Sequence, residues 1–257
     1  MRREMIPRPL RACLWALLVI VLAILYYIAL GCPTLTLRQE LRRAEKIHLV
    51  GPSKIVDRID IRQWYEFEKL LVGETEHGIT FIGKFGSRRT GAKHSGERHY
   101  KFSYQEKTGD VTFAAPPIQY RGSGLYELPV YVFTEHPDAV RAEISILVAG
   151  SRSYTALDGK KVVDPFGVTF EEEAERNKGG FFRFFLTAPN NQVDDPFGRK
   201  NDSAYALFCI SSLCSGESNY DNQSTMVIPI TVTLYDAEGN VIVTRQLQLG
   251  PYEQEKG

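Results

Sequence analysis

The residues best suited to bind a ligand form a basic segment between positions 84 and 101. Six lysines and arginines lie there with a single acid, two histidines and three glycines. Close to an anionic surface, each basic residue contributes about 1 kcal/mol of attraction. We therefore predict that the segment holds anionic lipid headgroups or an anionic wall polymer, the alternative being a solvated loop between two strands. The candidate anion-binding residues are Arg88, Arg89, Lys93 and Arg98.

An acidic segment and a repeated tetrapeptide lie further along the chain. Residues 164–175 contain five acids and no base, and they could attract the basic segment within one molecule or between neighbours. Asp-Pro-Phe-Gly occurs at 164–167 and again at 195–198, and this order of residues is typical of a turn. The alternative is a calcium site, but calcium needs six to eight oxygens and no calcium-loop spacing is present. The acids considered for it are Asp194, Asp195 and Asp202. We expect two turns, with no metal and no cofactor.

The sequence contains no motif that fixes a reaction. Ser151, Ser153 and Ser211 lack the Gly-x-Ser-x-Gly elbow of a nucleophilic serine, and no His-Glu-x-x-His motif for zinc occurs. The five histidines fall in predicted loops or turns, where imidazoles are usually solvated. We therefore predict that the protein is not an enzyme, and a hydrolase assembled from residues distant in the chain is the alternative.

Two of the four cysteines could form a bridge. Cys209 and Cys214 are the only pair beyond residue 32. In an exported protein they are a candidate disulfide, and two free thiols are the alternative. Cys13 and Cys32 instead flank the most apolar part of the chain.

The scaffold that positions these residues is predicted to consist mainly of β-strands. Apolar and polar residues alternate at 140–148, and similar strand signals occur at 128–133 and 181–186. The clearest pattern is C-terminal, where 228–235 and 241–249 predict two strands joined by a turn. Arg245 interrupts the alternation and indicates a bulge or a sheet edge. Helical spacing at 203–213 predicts one short helix.

The region 55–115 predicts hairpins. One turn is expected at 76–78, and a second hairpin is expected to pair 100–104 with 111–113, with Gly109 supplying a positive φ. Residues 57–71 also fit a helical face, so a helix is the alternative there.

Together these patterns predict a mainly β protein with an antiparallel, immunoglobulin-like β-sandwich and one or two short helices. Pro116 and Pro117 mark the best internal boundary. The expected organisation is a cytoplasmic head at 1–11, a transmembrane segment at 12–31, a juxtamembrane stalk or short helix at 32–54, a hairpin-rich region at 55–115 and the sandwich at 116–257.

The transmembrane segment rests on a run without charge. Residues 14–30 include eleven Leu, Ile or Val and follow four arginines. As a helix, 12–31 would rise roughly 30 Å, the thickness of a bilayer core. Eleven such residues contribute about −3 to −7 kcal/mol to insertion. The segment therefore predicts a lipid bilayer as one partner of this protein.

Three fates are open for that segment: an uncleaved anchor, cleavage as a signal peptide, or lipidation of Cys32. Ala29 and Gly31 suit a cleavage site, but the apolar run is longer than a usual signal core. The sequence Ala29-Leu30-Gly31-Cys32 resembles the bacterial lipoprotein box, which makes Cys32 a candidate lipidation site. In each case the bulk of the chain is expected to be exported, with the N-terminus inside.

Several short sequence segments resemble those of exported single-span proteins of Gram-positive bacteria that carry no assigned activity. They are residues 106–110, 128–133, 139–146 and 231–242. The resemblance covers about half of the chain and implies compartment and architecture without any catalytic residue. Formal charge is zero, with 31 basic and 31 acidic residues, so no nucleic-acid partner is expected. The expected function is a membrane-tethered interaction or envelope-structural module, whose partner is an unknown protein or envelope polymer.

Overall fold

A computed structural model describes residues 8–29, 36–60, 67–85, 100–117, 127–155, 160–188, 202–215 and 226–250. These ranges contain three helices, α1 (Arg8–Ala29), α2 (Leu37–Ile47) and α3 (Asp202–Ser215). The strands are β1 (Lys54–Asp60), β2 (Phe67–Glu74), β3 (Gly78–Phe85), β4 (Tyr100–Glu106), β5 (Val111–Ala114), β6 (Glu127–Thr134), β7 (Arg141–Thr155), β8 (Lys161–Glu175), β9 (Phe182–Thr187), β10 (Ile228–Tyr235) and β11 (Val241–Leu249).

The strands form three antiparallel sheets. The first sheet has the order β1-β2-β3-β4, the second β5-β6-β9, and the third β11-β10-β7-β8. The prediction of a mainly β, antiparallel protein is confirmed. The immunoglobulin-like sandwich is not confirmed, because such a sandwich divides its strands between two sheets and these strands are divided among three.

One apolar core joins the three sheets and α3. Strand β6 lies at its centre, since its six residues from Leu128 to Phe133 are all buried. Tyr131 faces the first sheet, where its ring lies 5.7 Å from that of Phe81. Neighbouring residues on a strand point to opposite faces, so Val130 and Val132 face away from the first sheet and are also covered.

The C-terminal hairpin follows its prediction. β10 pairs with β11, and the inward residues of β10 are buried while their neighbours are not. Gly239 provides the positive φ, +85°, in the turn between the two strands. Arg245 lies on β11, an edge strand, as its break in the alternation indicated. The turn at 76–78 and the helix at 203–213 are confirmed as the β2–β3 hairpin and α3.

The hairpin expected between 100–104 and 111–113 is wrong. β4 pairs with β3 and β5 pairs with β6, so the chain leaves the first sheet and enters the second at this turn. Gly109 does have a positive φ, +70°. The Gln105 amide replaces the missing strand pairing, because it donates to the carbonyl of Ala115 at 2.6 Å and accepts from the Ala115 N–H at 3.3 Å.

Two other expectations are corrected. The helix considered over 57–71 is excluded where the structure describes it, since β1 and β2 occupy both ends of that stretch. The turn expected at Asp164–Gly167 is also wrong, because these residues lie within β8 and pair with β7. β8 is an edge strand, where a proline such as Pro165 need not donate to a neighbour. The second copy, 195–198, lies outside the described residues.

The domain boundary expected between residues 115 and 116 separates two strands that pair with each other. β5 precedes the boundary and pairs with β6, which follows it. The core likewise contains residues from both sides, such as Phe81 and Val130.

Candidate functional site

α1 is an apolar helix whose side chains lie outside the folded core. The 18 residues Pro9–Tyr26 of this helix have a mean hydropathy of 2.2, and none of them is buried. Trp15 and Leu17, for example, are more than 60% exposed. Such a surface is unfavourable in water, and the helix is long enough to cross a bilayer. By length and composition it is a candidate membrane span, and a signal sequence near an N-terminus has the same properties.

α2 begins shortly after α1 with a defined cap. Thr36 accepts a hydrogen bond from the Gln39 N–H at 3.2 Å, and the Gln39 side chain accepts one from the Thr36 N–H at 3.2 Å. This capping box satisfies two otherwise unpaired donors. Seven residues, 30–36, separate the two helices. Because an extended residue spans at most about 3.5 Å, α2 starts within roughly 30 Å of the end of α1.

The apolar side of α2 is docked on the first sheet. Leu41 is fully buried and packs with Leu71 of β2 and Ile82 of β3. Just after the helix, the imidazole of His48 stacks on Phe102 of β4, with ring centroids 4.8 Å apart. Burial of one leucine side chain contributes about 1.5–3 kcal/mol. The segment expected to be a stalk or short helix is therefore a helix, and it belongs to the folded domain.

A buried carboxylate fixes α2 in place. We call Arg42, Glu45 and Ser53 the mount cluster. Glu45, only 2% exposed, accepts hydrogen bonds from Arg42 Nη1 at 2.7 Å, from the Ser53 N–H at 3.1 Å and from the Ser53 hydroxyl. Arg42 also donates to the Ser53 carbonyl at 2.5 Å. The charge is thus paired and hydrogen-bonded, as a buried charge must be.

The mount cluster lies directly on Gly73 of β2. A Cβ at this position would lie 2.7 Å from Ser53 Cβ and 2.5 Å from Thr80 Oγ1, and closer still to Ser53 Oγ. Only glycine leaves room for Ser53, so Gly73 is needed for α2 to dock.

A second polar cluster joins the first sheet to the second. We call Asp57, Tyr131 and Arg183 the Asp57 cluster. Arg183 of β9 donates to both oxygens of Asp57 on β1, at 3.2 and 2.9 Å, and the Tyr131 hydroxyl donates to Asp57 Oδ2 at 3.1 Å. Burial, together with the charge of Asp57, raises the pKa of Tyr131 well above its usual value. The phenol therefore stays protonated and remains a hydrogen-bond donor.

A third cluster joins the second sheet to the edge of the third. We call Asp110, His136 and Arg245 the Asp110 cluster. Arg245 of β11 donates to the two oxygens of Asp110 at 3.0 and 2.7 Å, and His136 Nε2 lies 2.9 Å from Asp110 Oδ2. Arg245 first, and then His136, hold the pKa of Asp110 well below its usual range.

This lowered pKa predicts an acid-dependent contribution to stability. A carboxyl group whose pKa falls on folding stabilises the fold above its unfolded pKa, about 3.9, and this contribution is lost as the pH falls towards the folded value. Asp110→Asn should therefore lower the urea midpoint of unfolding at pH 7. The difference from the unmodified protein should shrink below about pH 4. A difference that is constant from pH 7 to pH 3 would show that the charge of Asp110 does not stabilise the fold.

The Asp110 cluster contains a pair that also occurs in catalytic triads. A carboxylate can orient a histidine that then acts as a general base on a nucleophile. In the described part of the chain, however, no hydroxyl or thiol is hydrogen-bonded to the His136 imidazole, and Arg245 occupies the same carboxylate. No group of three or more His, Cys, Asp or Glu there is placed to hold a metal ion. The arrangement connects elements of the fold.

The candidate anion-binding, lipidation and disulfide residues predicted from the sequence are not members of the three polar clusters. Arg88, Arg89, Lys93, Arg98 and Cys32 lie outside the described residues, so those candidate sites stay predictions. Cys209 and Cys214 both lie in α3 and are free thiols. Positions five apart on an α-helix are rotated by about 140°, which directs the two side chains away from each other. Burial raises the pKa of Cys214 to about 12, so its thiol stays protonated at neutral pH.

The sequence patterns did not predict that the residues of the three clusters pair with one another, although the pattern at Arg245 indicated a bulge or a sheet edge. His136 was expected to be solvated, but it is half-buried and paired with Asp110. The partners of Asp57 lie 74 and 126 residues away in the chain, and Asp110 and Arg245 are separated by 135. A single sequence contains no local signal for such pairs.

Comparison with protein families and with curated proteins gives no match for this chain.

Proposed function

We propose that this protein is a membrane-tethered, exported module with a non-enzymatic role in interaction or envelope structure. The observation that carries the proposal is the sequence of α1 and α2, an exposed apolar helix followed after seven residues by a helix docked on the domain. A domain attached in this way stays close to the bilayer surface. The proposed orientation places the N-terminus in the cytoplasm and the domain outside.

The polar clusters support a rigid attachment. The mount cluster joins α2 to the first sheet, the Asp57 cluster joins the first sheet to the second, and the Asp110 cluster joins the second to the third. Their carboxylates are all paired within the fold. This is the arrangement expected of a module that presents a surface, and we propose that the second and third sheets, which share one core, form its sandwich.

The hairpin of β7 and β8 is the surface that we propose for a partner. Each strand has fifteen residues, roughly 50 Å at about 3.3 Å per residue. β10 pairs with β7 only as far as Ile146, so the remainder of the hairpin extends beyond β10. Its outer face has exposed apolar side chains, with Leu147 at 45% and Val163 at 59% exposure. Val163 pairs with Ser153, six residues along β7 from Leu147, so the two side chains lie on one face of the hairpin roughly 20 Å apart, and we propose that an extended partner covers both.

Site-specific photo-crosslinking in the intact envelope tests this proposal. A photo-reactive residue at position 147 or 163 should give a discrete adduct with one envelope component. The same residue at Glu238, an exposed turn position on another part of the third sheet, should give none. Adducts of equal yield from all three positions, or from none, would contradict the proposed surface.

The basic segment supports a second candidate function, binding of anionic lipid or wall polymer. Its two ends belong to β3 and β4 of the first sheet, on which α2 is docked. The sheet that carries these charges is therefore the one attached to the membrane helix.

We expect the full chain, reconstituted in neutral nanodiscs, to retain anionic vesicles at low salt and to release them at high salt, since screening weakens exposed charges. Neutralising Arg88, Arg89 and Lys93 to glutamine should abolish retention. The matched control neutralises Lys160, Lys161 and Lys178, which are exposed elsewhere. Equal loss in both triple variants would indicate a nonspecific charge effect and contradict this candidate.

A further inference from the structure

The two edges of the third sheet differ in how they resist pairing with another strand. β8, at one edge, carries four acids between positions 171 and 175. Like charges of this density repel a second copy of the same edge. β11, at the other edge, contains a single charged residue, Arg245, among nine residues of which five are Val, Ile or Leu. Apart from this one charge, β11 has the apolar composition of edge strands that tend to pair with one another.

β11 has a pattern that fits a second copy of itself. In an antiparallel pairing of two β11 strands centred on position 245, Val243 would lie opposite Leu247 of the other copy. Val241 takes no part in this match, because the register shift at Ile242 turns it to the opposite face of the sheet from Val243. Thr244 would lie opposite Gln246. The two pairs on either side of Arg245 therefore match apolar with apolar and polar with polar, which stabilises cross-strand pairs. The match ends at Ile242, which would face Gln248. An interface of this kind is two-fold symmetric, as in most protein dimers.

The inward side of β11 has apolar surface left to bury. Val243, Leu247 and Leu249 lie opposite buried residues of β10 and pack against the core, yet they are only partly buried. In the described part of the chain, β11 is hydrogen-bonded to β10 alone. A second β11 strand would cover these three side chains from the open side.

Arg245 is the residue that opposes this pairing. It lies opposite Val232, so it points to the inward face of the sheet, where it is held by Asp110. An inward-pointing charge on an edge strand is a device by which proteins prevent edge-to-edge association. In the centred pairing, moreover, the two Arg245 residues would lie directly opposite each other.

We infer that β11 is a self-association surface for a second copy of this chain, and that Arg245, positioned by Asp110, keeps it closed. The same strand thus has the complementarity for a dimer and one charge that prevents it. The unmodified protein is a monomer at this edge, and removing the charge joins two third sheets into one continuous eight-stranded sheet.

Sedimentation equilibrium of the full chain in detergent tests this inference. Arg245→Thr should convert a monomer into a discrete dimer, with an apparent association constant at least tenfold higher than that of the unmodified chain. Arg245→Gln removes the charge but can still hydrogen-bond to Asp110, so it preserves the fold if threonine does not, and it should dimerise as well. Gln246→Thr, a neighbouring change that keeps Arg245, should remain monomeric.

Asp110→Asn separates this inference from a purely structural role of the ion pair. It breaks the same pair as Arg245→Thr but leaves the positive charge on β11, so it should remain monomeric. Adding Val243→Lys to Arg245→Thr should restore the monomer, because it places a charge within the apolar pairs. Monomeric Arg245→Thr and Arg245→Gln, or equal dimerisation by Asp110→Asn and Arg245→Thr, would overturn the inference.

Discussion

Replacing Gly73 with alanine should release α2 from the first sheet. The new Cβ would lie 2.7 Å from Ser53 Cβ, and a Cβ cannot be moved by a side-chain rotation, so the backbone around Ser53 must shift. That shift breaks the hydrogen bonds from Ser53 to the buried carboxylate of Glu45. Overpacking costs about 1–3 kcal/mol, and the loss of hydrogen bonds to a buried charge adds to this cost. We therefore expect the free energy that holds α2 on the first sheet to fall by at least about 3 kcal/mol.

Hydrogen exchange of the full chain in detergent measures this release. Amides of α2 should exchange much faster in Gly73→Ala, whereas amides of β10, far from the mount cluster, should change little. Gly51→Ala is the matched control, because a Cβ at Gly51 meets nothing within 4 Å. Unchanged α2 exchange in Gly73→Ala would show that α2 does not depend on this contact.

The second large effect is expected at the Asp57 cluster. Arg183→Met keeps much of the side-chain length beside Phe185 but removes the guanidinium from Asp57, which is only 14% exposed and keeps the Tyr131 hydroxyl and the Arg58 N–H as hydrogen-bond donors. Removing one partner of a buried pair costs about 3–5 kcal/mol, and since Arg183 is 37% exposed we expect about 2–3 kcal/mol. Denaturant unfolding of the full chain would measure this loss.

Two comparisons show whether the loss comes from the uncompensated charge. Asp57→Asn added to Arg183→Met removes that charge, so the double variant should be more stable than Arg183→Met alone. Arg141→Met removes an arginine from exposed pairs with Glu143 and Glu173 and from the ring of Tyr235, and should cost about 1 kcal/mol. If Arg183→Met is no more damaging than Arg141→Met, the Asp57 cluster does not join the two sheets energetically.

Local patterns in the sequence predicted those elements whose signals are local. The β10–β11 hairpin, α3 and the apolar α1 each follow from periodicity and turn residues within one stretch of chain. The turn at Gly109 was also correctly placed. The pairing of the strand that follows this turn was not predicted correctly, because a turn residue does not specify whether the next strand pairs with the preceding one or enters another sheet. Here Gln105 binds Ala115 and β5 pairs with β6.

The clusters that connect the elements could not be predicted for the same physical reason. Asp57 and Arg183 meet only after two sheets have packed, and nothing near either residue indicates the other. Glu45 lies in a strongly charged helix, where a glutamate is expected to face the solvent, yet the fold buries it against Ser53. Asp164–Gly167 shows the converse case, in which a strong turn signal is overridden by pairing with a long neighbouring strand.

Labelling of single engineered cysteines in intact cells tests most directly that the domain lies outside the membrane and the N-terminus inside. Glu238→Cys places a thiol in the exposed turn between β10 and β11, and Arg2→Cys places one before the apolar helix. After subtraction of labelling in the parent chain, a membrane-impermeant maleimide should modify position 238 in intact cells and position 2 only after permeabilisation. Labelling of position 2 in intact cells, with position 238 protected until permeabilisation, would contradict the exported, membrane-tethered arrangement.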